Sequence, residues 1–441
     1  MQRRPSPPSS AARHTDLNWS RRYAVKSYLL SAIWTAPVMA LLLEQATFRV
    51  AHNYQLDFGW IPGFIVDREG TIALADYAIS SSIAFIVFTF SSMIVAIQVA
   101  SGQLTPRIIA TTLLRDKAIR RSVGLFVYVL LLSISVRTRI DTIPRFLVSL
   151  TGILALISVI VFMFLIDHAA RLLRPINIVW RIAQQGLKVV DEVYPDPIRA
   201  TTMPTQVLDI PAPAERTVFH AGGSAIVIAV NVNALIAEAR KADVVIEVVP
   251  CVGDFVSDHD PLFRLRGKGA MKIDERGLRG QVAFGRERTI EQDSTFAFRV
   301  IVDIAIKALS PAINDPTTAV IALDQLQRLL RAVGDRDLHN ERILDRNGQL
   351  RVLFRTPNWT DFVQLTFSEI RHYGANNLQV ARRMRAMIES VLPILPDARV
   401  PAIRHEQELL DRTLDNVYVF REDMALARIP DSQGLGGAAG R

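Results

Sequence analysis

Residues able to do chemistry gather at a few places in this chain. Arg288, Thr289, Gln292 and Asp293 precede one apolar run, and Ser310, Pro311, Asn314, Asp315 and Pro316 precede another. If two helices start side by side there, a guanidinium, two carboxylates and two amides converge on a polar pocket; caps plus a buried Arg–Asp pair would use the same residues without any ligand. Arg299, Asp303 and Lys307, spaced by four, form a charged stripe on the first of those helices. Asp254, Asp258 and Asp260 offer oxygen ligands and His259 a ring nitrogen, but the loop lacks the repeating pattern and closing Glu of a calcium loop and reads as a solvated turn.

A different chemistry is written into residues 77–106, which carry no charge yet hold many hydroxyl and amide groups. At about 100° per residue, Ser80, Ser91 and Gln98 share one face, with Ser81, Ser92 and Gln103 beside them and Arg107 at the end. Such a face either packs helices closely through small hydroxyl residues or lines a water-filled path. Both readings stay open on the sequence.

These groups need elements to position them. Four stretches lack charge: 27–43, 77–106, 122–136 and 146–166. About 20 apolar residues of helix span a hydrocarbon core, so the sequence predicts four transmembrane helices, the first containing Pro37 and the third relying on Arg121 and Arg137 to reach the interfaces. Arg and Lys in the short flanks number 15 on one side and 5 on the other, which puts both termini in the cytosol. The twin-arginine pattern at Arg21-Arg22 lacks a small-x-small cleavage site after its apolar run and is followed by three more spans, so it is read as a flank and not as an export signal.

The net charge of +8 is confined to the membrane part, because residues 1–166 hold 16 Lys and Arg against 8 Asp and Glu, leaving 35 of each sign beyond. A neutral soluble part has no footprint for phosphate backbones, so nucleic acid is excluded as a partner. Cys251 is the only cysteine, which rules out an internal disulfide and a four-cysteine zinc site. Phosphate-loop, dinucleotide, zinc-protease and hydrolase-elbow motifs are absent, so neither an enzyme nor a cofactor is expected.

Beyond the spans, the helix of the fourth is expected to run on through 167 toward 193, followed by a proline-rich linker to 214. Residues 215–272 read as a small β-rich barrel or sandwich with one helix at 234–242, and 273–429 as a mainly helical domain ahead of a disordered tail at 430–441. Within the latter, Thr289 and Gln292 suit a capping box, Asp315 and Pro316 a helix start, and Asn347-Gly348 a hairpin turn. Val252-Gly253-Asp254-Phe255-Val256 with Pro261-Leu262 resembles the turn of a biotinyl–lipoyl hairpin, yet the spacing to Lys272 is too long for that lysine to be the modified one.

Three segments taken together resemble a bacterial family of uncharacterised predicted membrane proteins: 95–107, Arg288-Thr289-Ile290-Glu291-Gln292-Asp293 with Phe296, Arg299 and Asp303, and 308–319, joined by 370–375. The resemblance covers about 28 to 429 and implies four spans with a cytosolic domain, and no activity. The residues support a non-enzymatic, homo-oligomeric, channel- or transport-like protein with a cytosolic gating or sensing domain; the alternative is a membrane-anchored scaffold or sensor that binds protein partners.

Overall fold

The computed structural model describes residues 19–20, 35–54, 67–103, 116–172, 174–198, 213–338 and 342–437, with backbone alone at 99–103 and 172. The chain divides into two compact units, one of residues 28–178 and one built from 179 onward.

The first unit consists of helices α1 (Thr35–Asn53), α2 (Arg68–Gln103), α3 (Lys117–Thr138) and α4 (Arg145–Leu172). Three segments, Arg68–Gln98, Lys117–Thr138 and Arg145–Arg171, are long and apolar enough to cross a membrane. Helix α1, with Glu44, Gln45 and Arg49 in its second half, is not among them, and residues 27–34 of the expected first span lie outside the described residues. Helix α3 packs on the other three. It buries Ile119, Ser122, Phe126, Val129, Ser133 and Val136, spacings of three and four that keep one side of a helix inward.

Small side chains let α2 come close. Thr71, Ala75, Ala78, Ser82, Thr89 and Ala96 are buried at the same alternating spacing, with partly buried Phe85 and Ser92 at the two intervening positions; Phe85 stacks on Phe162 at 4.2 Å and tilts against Phe126 at 5.4 Å. Charged pairs pin both ends of the bundle. At one end Arg68 meets Asp141 and Arg137 meets Asp76, each at 3.0 Å; at the other Asp116 caps α3 and takes His168 Nε2 at 3.1 Å.

The second unit opens with the end of α5 (Pro175–Val193) and continues as β1 (Arg216–Phe219), β2 (Ala225–Val230), α6 (Val232–Ala242), β3 (Val245–Val248), β4 (Phe255–Val256), β5 (Pro261–Arg266), α7 (Glu275–Arg279) and β6 (Val282–Gly285). Then follow α8 (Ser294–Ala308), α9 (Pro316–Gly334), β7 (Arg342–Leu344), β8 (Leu350–Phe354), α10 (Trp359–Gly374), α11 (Leu378–Val391), α12 (Val400–Val417) and α13 (Arg421–Ala427).

The expected barrel does not close. The strands form two open sheets, ordered β1-β5-β3-β8-β7 and β4-β2-β6, around one core of Val227, Ile246, Leu262, Phe263, Leu265 and Val352 with Leu235 of α6. The hairpin at Asn347-Gly348 forms, with Gly348 at φ +74°, but β8 then pairs in parallel with β3, so the β-rich segment borrows strands from beyond residue 272.

Four arginines of the helical part are almost fully buried: Arg382, Arg383, Arg385 and Arg399. Arg382 donates to the carbonyls of Ile429 and Gly437, and Asp431 accepts the N–H groups of Gln433, Gly434 and Gly436. Residues 430–437, expected to be disordered, are therefore folded against α11, because a buried guanidinium must find acceptors and the tail carbonyls supply them.

Arg399 closes the far end of α9 in the same way. Its guanidinium donates to the carbonyls of Val333 and Gly334 at 2.8 Å and of Arg336 at 2.6 Å, beneath the ring of Trp359 at 5.3 Å. Val333 O also accepts the Arg336 N–H at 3.1 Å, whereas the Gly334 and Arg336 carbonyls rely on Arg399, at the end of α9 that carries the negative pole of the helix dipole. Arg399→Leu should strand them, lowering stability by about 2–4 kcal/mol; a thermal melt of the detergent-solubilised chain unchanged from the parent would contradict this role.

Candidate functional site

In the membrane unit the two expected stripes of α2 separate. Ser81 and Ser92 are partly buried and donate to carbonyls of their own helix, Ala78 at 3.2 Å and Thr89 at 3.0 Å. Ser80, Ser91 and Gln98 are exposed on the opposite side, and none has a hydrogen-bond partner among the described residues. They belong to a run of exposed positions, Tyr77, Ser80, Ala84, Val87, Ser91, Ile94 and Gln98, that again alternates three and four. Helix α2 thus has two seams of coiled-coil spacing: one is filled by α3 and α4, and among the described residues nothing covers the other. Gln103 falls in the last turn, where only backbone is described, and Arg107 lies outside the described residues.

Inside the bundle, Thr89, Ser92, Met93, Ala96, Ile119, Leu165 and Ala169 line a cavity of about 20 Å³, room for a single water. A passage through one subunit would need far more.

A residue outside the sequence expectations also sits here. Glu44 is 9% exposed and accepts the Ser135 hydroxyl at 2.6 Å, while Thr47 and the Tyr128 hydroxyl pair at 2.9 Å beside it. The charge-free run stops at Leu43, so the helix was expected to stop there as well. It continues to Asn53, and the buried positions Ala40, Glu44 and Ala51 were a periodic signal that ran past the charge.

In the second unit the expected pocket falls into two halves. The capping box does not form: α8 begins at Ser294, and its cap is Asp293, whose Oδ1 accepts Phe296 N at 3.0 Å and Thr295 Oγ1 at 2.6 Å. Gln292 instead accepts the N–H of Val230, and Thr289 Oγ1 is buried with no partner. Helix α9 does start at Asp315 and Pro316, with Asp315 accepting Thr318 N at 3.0 Å. However, α8 and α9 pack as an antiparallel pair joined by a short corner, so their starts lie at opposite ends of 15 residues, about 22 Å of helix.

That corner is made by Ser310 to Asp315. Ser310 donates its N–H and its hydroxyl to Lys307 O, Asn314 adopts a left-handed φ of +49°, and Asp315 N returns to Ala308 O at 2.8 Å. Pro311 and Asn314 face outward. Arg299 ties α8 to α10 by pairing with both Asp303 and Glu369; despite the cost of its desolvation, these bonds hold its pKa above the usual value.

At the start of α8, Arg288 binds Asp293 at 2.7 Å, and the pair lies directly over Gly253. A side chain at 253 would meet Arg288 Nη2 at 2.2 Å and Asp293 Oδ2 at 2.5 Å, and the φ of +96° disfavours one in any case. The turn around Gly253 is closed by Cys251 N donating to Asp254 Oδ2 at 2.8 Å. Below it Tyr194 is wholly buried; Ser294 lies within reach of its hydroxyl, but no hydrogen bond of good geometry forms. Burial pushes the Tyr194 phenol up to about 12, with Asp293 and Asp361 adding to the effect. Among the described residues no group of three or more His, Cys, Asp or Glu is placed to hold a metal ion.

An apolar helical bundle with three helices long enough to cross a membrane, joined to a mixed α/β unit, is the architecture of a membrane protein. The chain belongs to the family described as "Predicted membrane protein (DUF2254)", whose model matches residues 25–390. Uncharacterized proteins of Mycobacterium tuberculosis and Mycobacterium bovis are each 26% identical to it over 431 residues, 92% of this chain and 81% of theirs. No solved structure matches.

Cys251 gives the site a readout. Burial first, then the Asp254 carboxylate, raises its thiol from 9.0 to about 11. A raised pKa means that folding favours the protonated thiol, so this contribution to stability is complete below pH 9 and is lost as the pH climbs toward 11. Alkylation of Cys251 in the folded chain should be slow near neutral pH and keep accelerating beyond pH 9; a rate that levels off at pH 9 would contradict the packing described.

Proposed function

We propose that this chain is a non-enzymatic, four-span protein of the bacterial inner membrane with both termini in the cytosol, and that it works as a homo-oligomer in which the outer faces of α2 line a polar path between copies. The mixed unit then acts as the cytosolic gate or sensor.

The single observation that carries this reading is the outward direction of Ser80, Ser91 and Gln98. Hydrocarbon supplies no hydrogen-bond partners; a serine hydroxyl can turn back onto its own helix, but an amide such as Gln98 has two donors and an acceptor to satisfy. A second copy of the same seam, or water held between copies, supplies them. The cavity beside Thr89, Ser92 and Met93 has room for one water, which favours a path between subunits over one through a subunit. The surplus of Arg and Lys on one side of the spans supports the orientation.

The test is solute and ion flux in vesicles reconstituted with the purified chain. Ser91→Leu, which replaces a hydroxyl by an alkyl group facing the path, should reduce flux by roughly an order of magnitude, the effect of about 1.4 kcal/mol added to the barrier. Vesicles as tight as protein-free ones, with Ser91→Leu leaving the host cell unaffected, would remove the channel-like reading.

A further inference from the structure

Helix α5 leaves α4 across a short break, since α4 ends at Leu172 and α5 starts at Pro175. Proline suits a first helical position and ends the preceding helix; here Arg171 O accepts both the Arg174 N–H at 3.3 Å and the Asn177 side chain at 2.7 Å. The new helix is strongly two-sided. Val179, Ile182, Ala183, Val189 and Val190 are buried, and Gly186 lets it sit close to Ala297 and Leu329, where an added Cβ would stand at 2.7 and 3.0 Å. Yet Ile176 and Trp180, one turn apart, are 51% and 52% exposed. Arg171 and Arg174 lie exposed at the same end.

We propose that α5 is an interfacial helix, with its Ile176 and Trp180 edge seated in the headgroup–acyl boundary of the leaflet from which α4 emerges and Arg174 on anionic headgroups. Chain continuity argues for that occupant. The apolar stretch of α4 ends at Ile166, followed by Asp167 and by His168 on its Asp116 partner, so Ile176 is ten residues beyond it, at most about 15 Å. Arg174 belongs to neither helix, and from it the following helix can turn along the surface. Tryptophan with an apolar neighbour and a basic flank is the composition that partitions to this layer. The charge balance agrees, because Asp191 and Glu192 on the helix are paired with Arg336 and Lys188, while Arg174 has no side-chain partner among the described residues.

The single cysteine makes the test direct. In a Cys251→Ser background of the full chain, Ile176→Cys, Trp180→Cys and Lys188→Cys are spin-labelled one at a time and reconstituted into phosphatidylcholine vesicles with and without phosphatidylglycerol. Labels at 176 and 180 should collide more with lipid-soluble oxygen than with a water-soluble nickel chelate, the label at 188 should do the reverse, and phosphatidylglycerol should deepen the first two unless Arg174→Glu is present. Labels at 176 and 180 as open to the chelate as 188 would overturn the proposal, and so would labels shielded from both reagents, since protein would then cover the edge. Depth that ignores phosphatidylglycerol would remove the role given to Arg174.

Discussion

In hydrocarbon no water is available to satisfy a hydroxyl or an amide, and each polar atom on a spanning helix therefore needs a partner from protein. Helix α2 is organised by that constraint. Its inward seam of Thr71, Ala75, Ala78, Ser82, Thr89 and Ala96 lets α3 and α4 pack closely by its small size, and Thr89 meets the constraint within α2 itself by donating to Phe85 O at 2.6 Å. Its outward seam, with Ser80, Ser91 and Gln98 at the same spacing, has no such answer among the described residues. Glu44 obeys the same rule on the other side of α3, where the Ser135 hydroxyl meets a carboxylate that would otherwise face lipid.

The second unit relies on a different device, the guanidinium group used as an internal brace. Arg288 over Gly253, Arg299 between α8 and α10, Arg399 on the last carbonyls of α9 and Arg382 on the tail each join elements distant in sequence. A planar group with five donors suits this task, because it satisfies several backbone or carboxylate oxygens at once.

Much of this was legible beforehand where a local rule decides. Charge-free runs marked α2, α3 and α4, and Asp315 with Pro316 marked the start of α9, since a cap and a proline act within one turn. Thr289 and Gln292 satisfied a local rule too and misled, because Asp293 outcompetes them for the cap while Gln292 is taken by Val230. Glu44 was hidden by treating its charge as the end of a span. The parallel pairing of β8 with β3 and the contact of Gly253 with Arg288 join residues far apart in sequence, so no window along the chain contains them. The separation of Asn314 from Gln292 follows from the antiparallel packing of α8 and α9, which a one-dimensional pattern does not carry.

The bare seam of α2 is the part of this account on which function turns, and cysteine scanning from 77 to 98 in membranes, with Cys251 replaced by serine and a charged, water-soluble thiol reagent, addresses it directly. The account predicts modification at 80, 91 and 98, protection at 82, 89 and 96 where α3 and α4 pack, and little at 83, 88 and 95 beside lipid. Positions 80, 91 and 98 as unreactive as 83, 88 and 95 would show that water never reaches that face and would contradict the account.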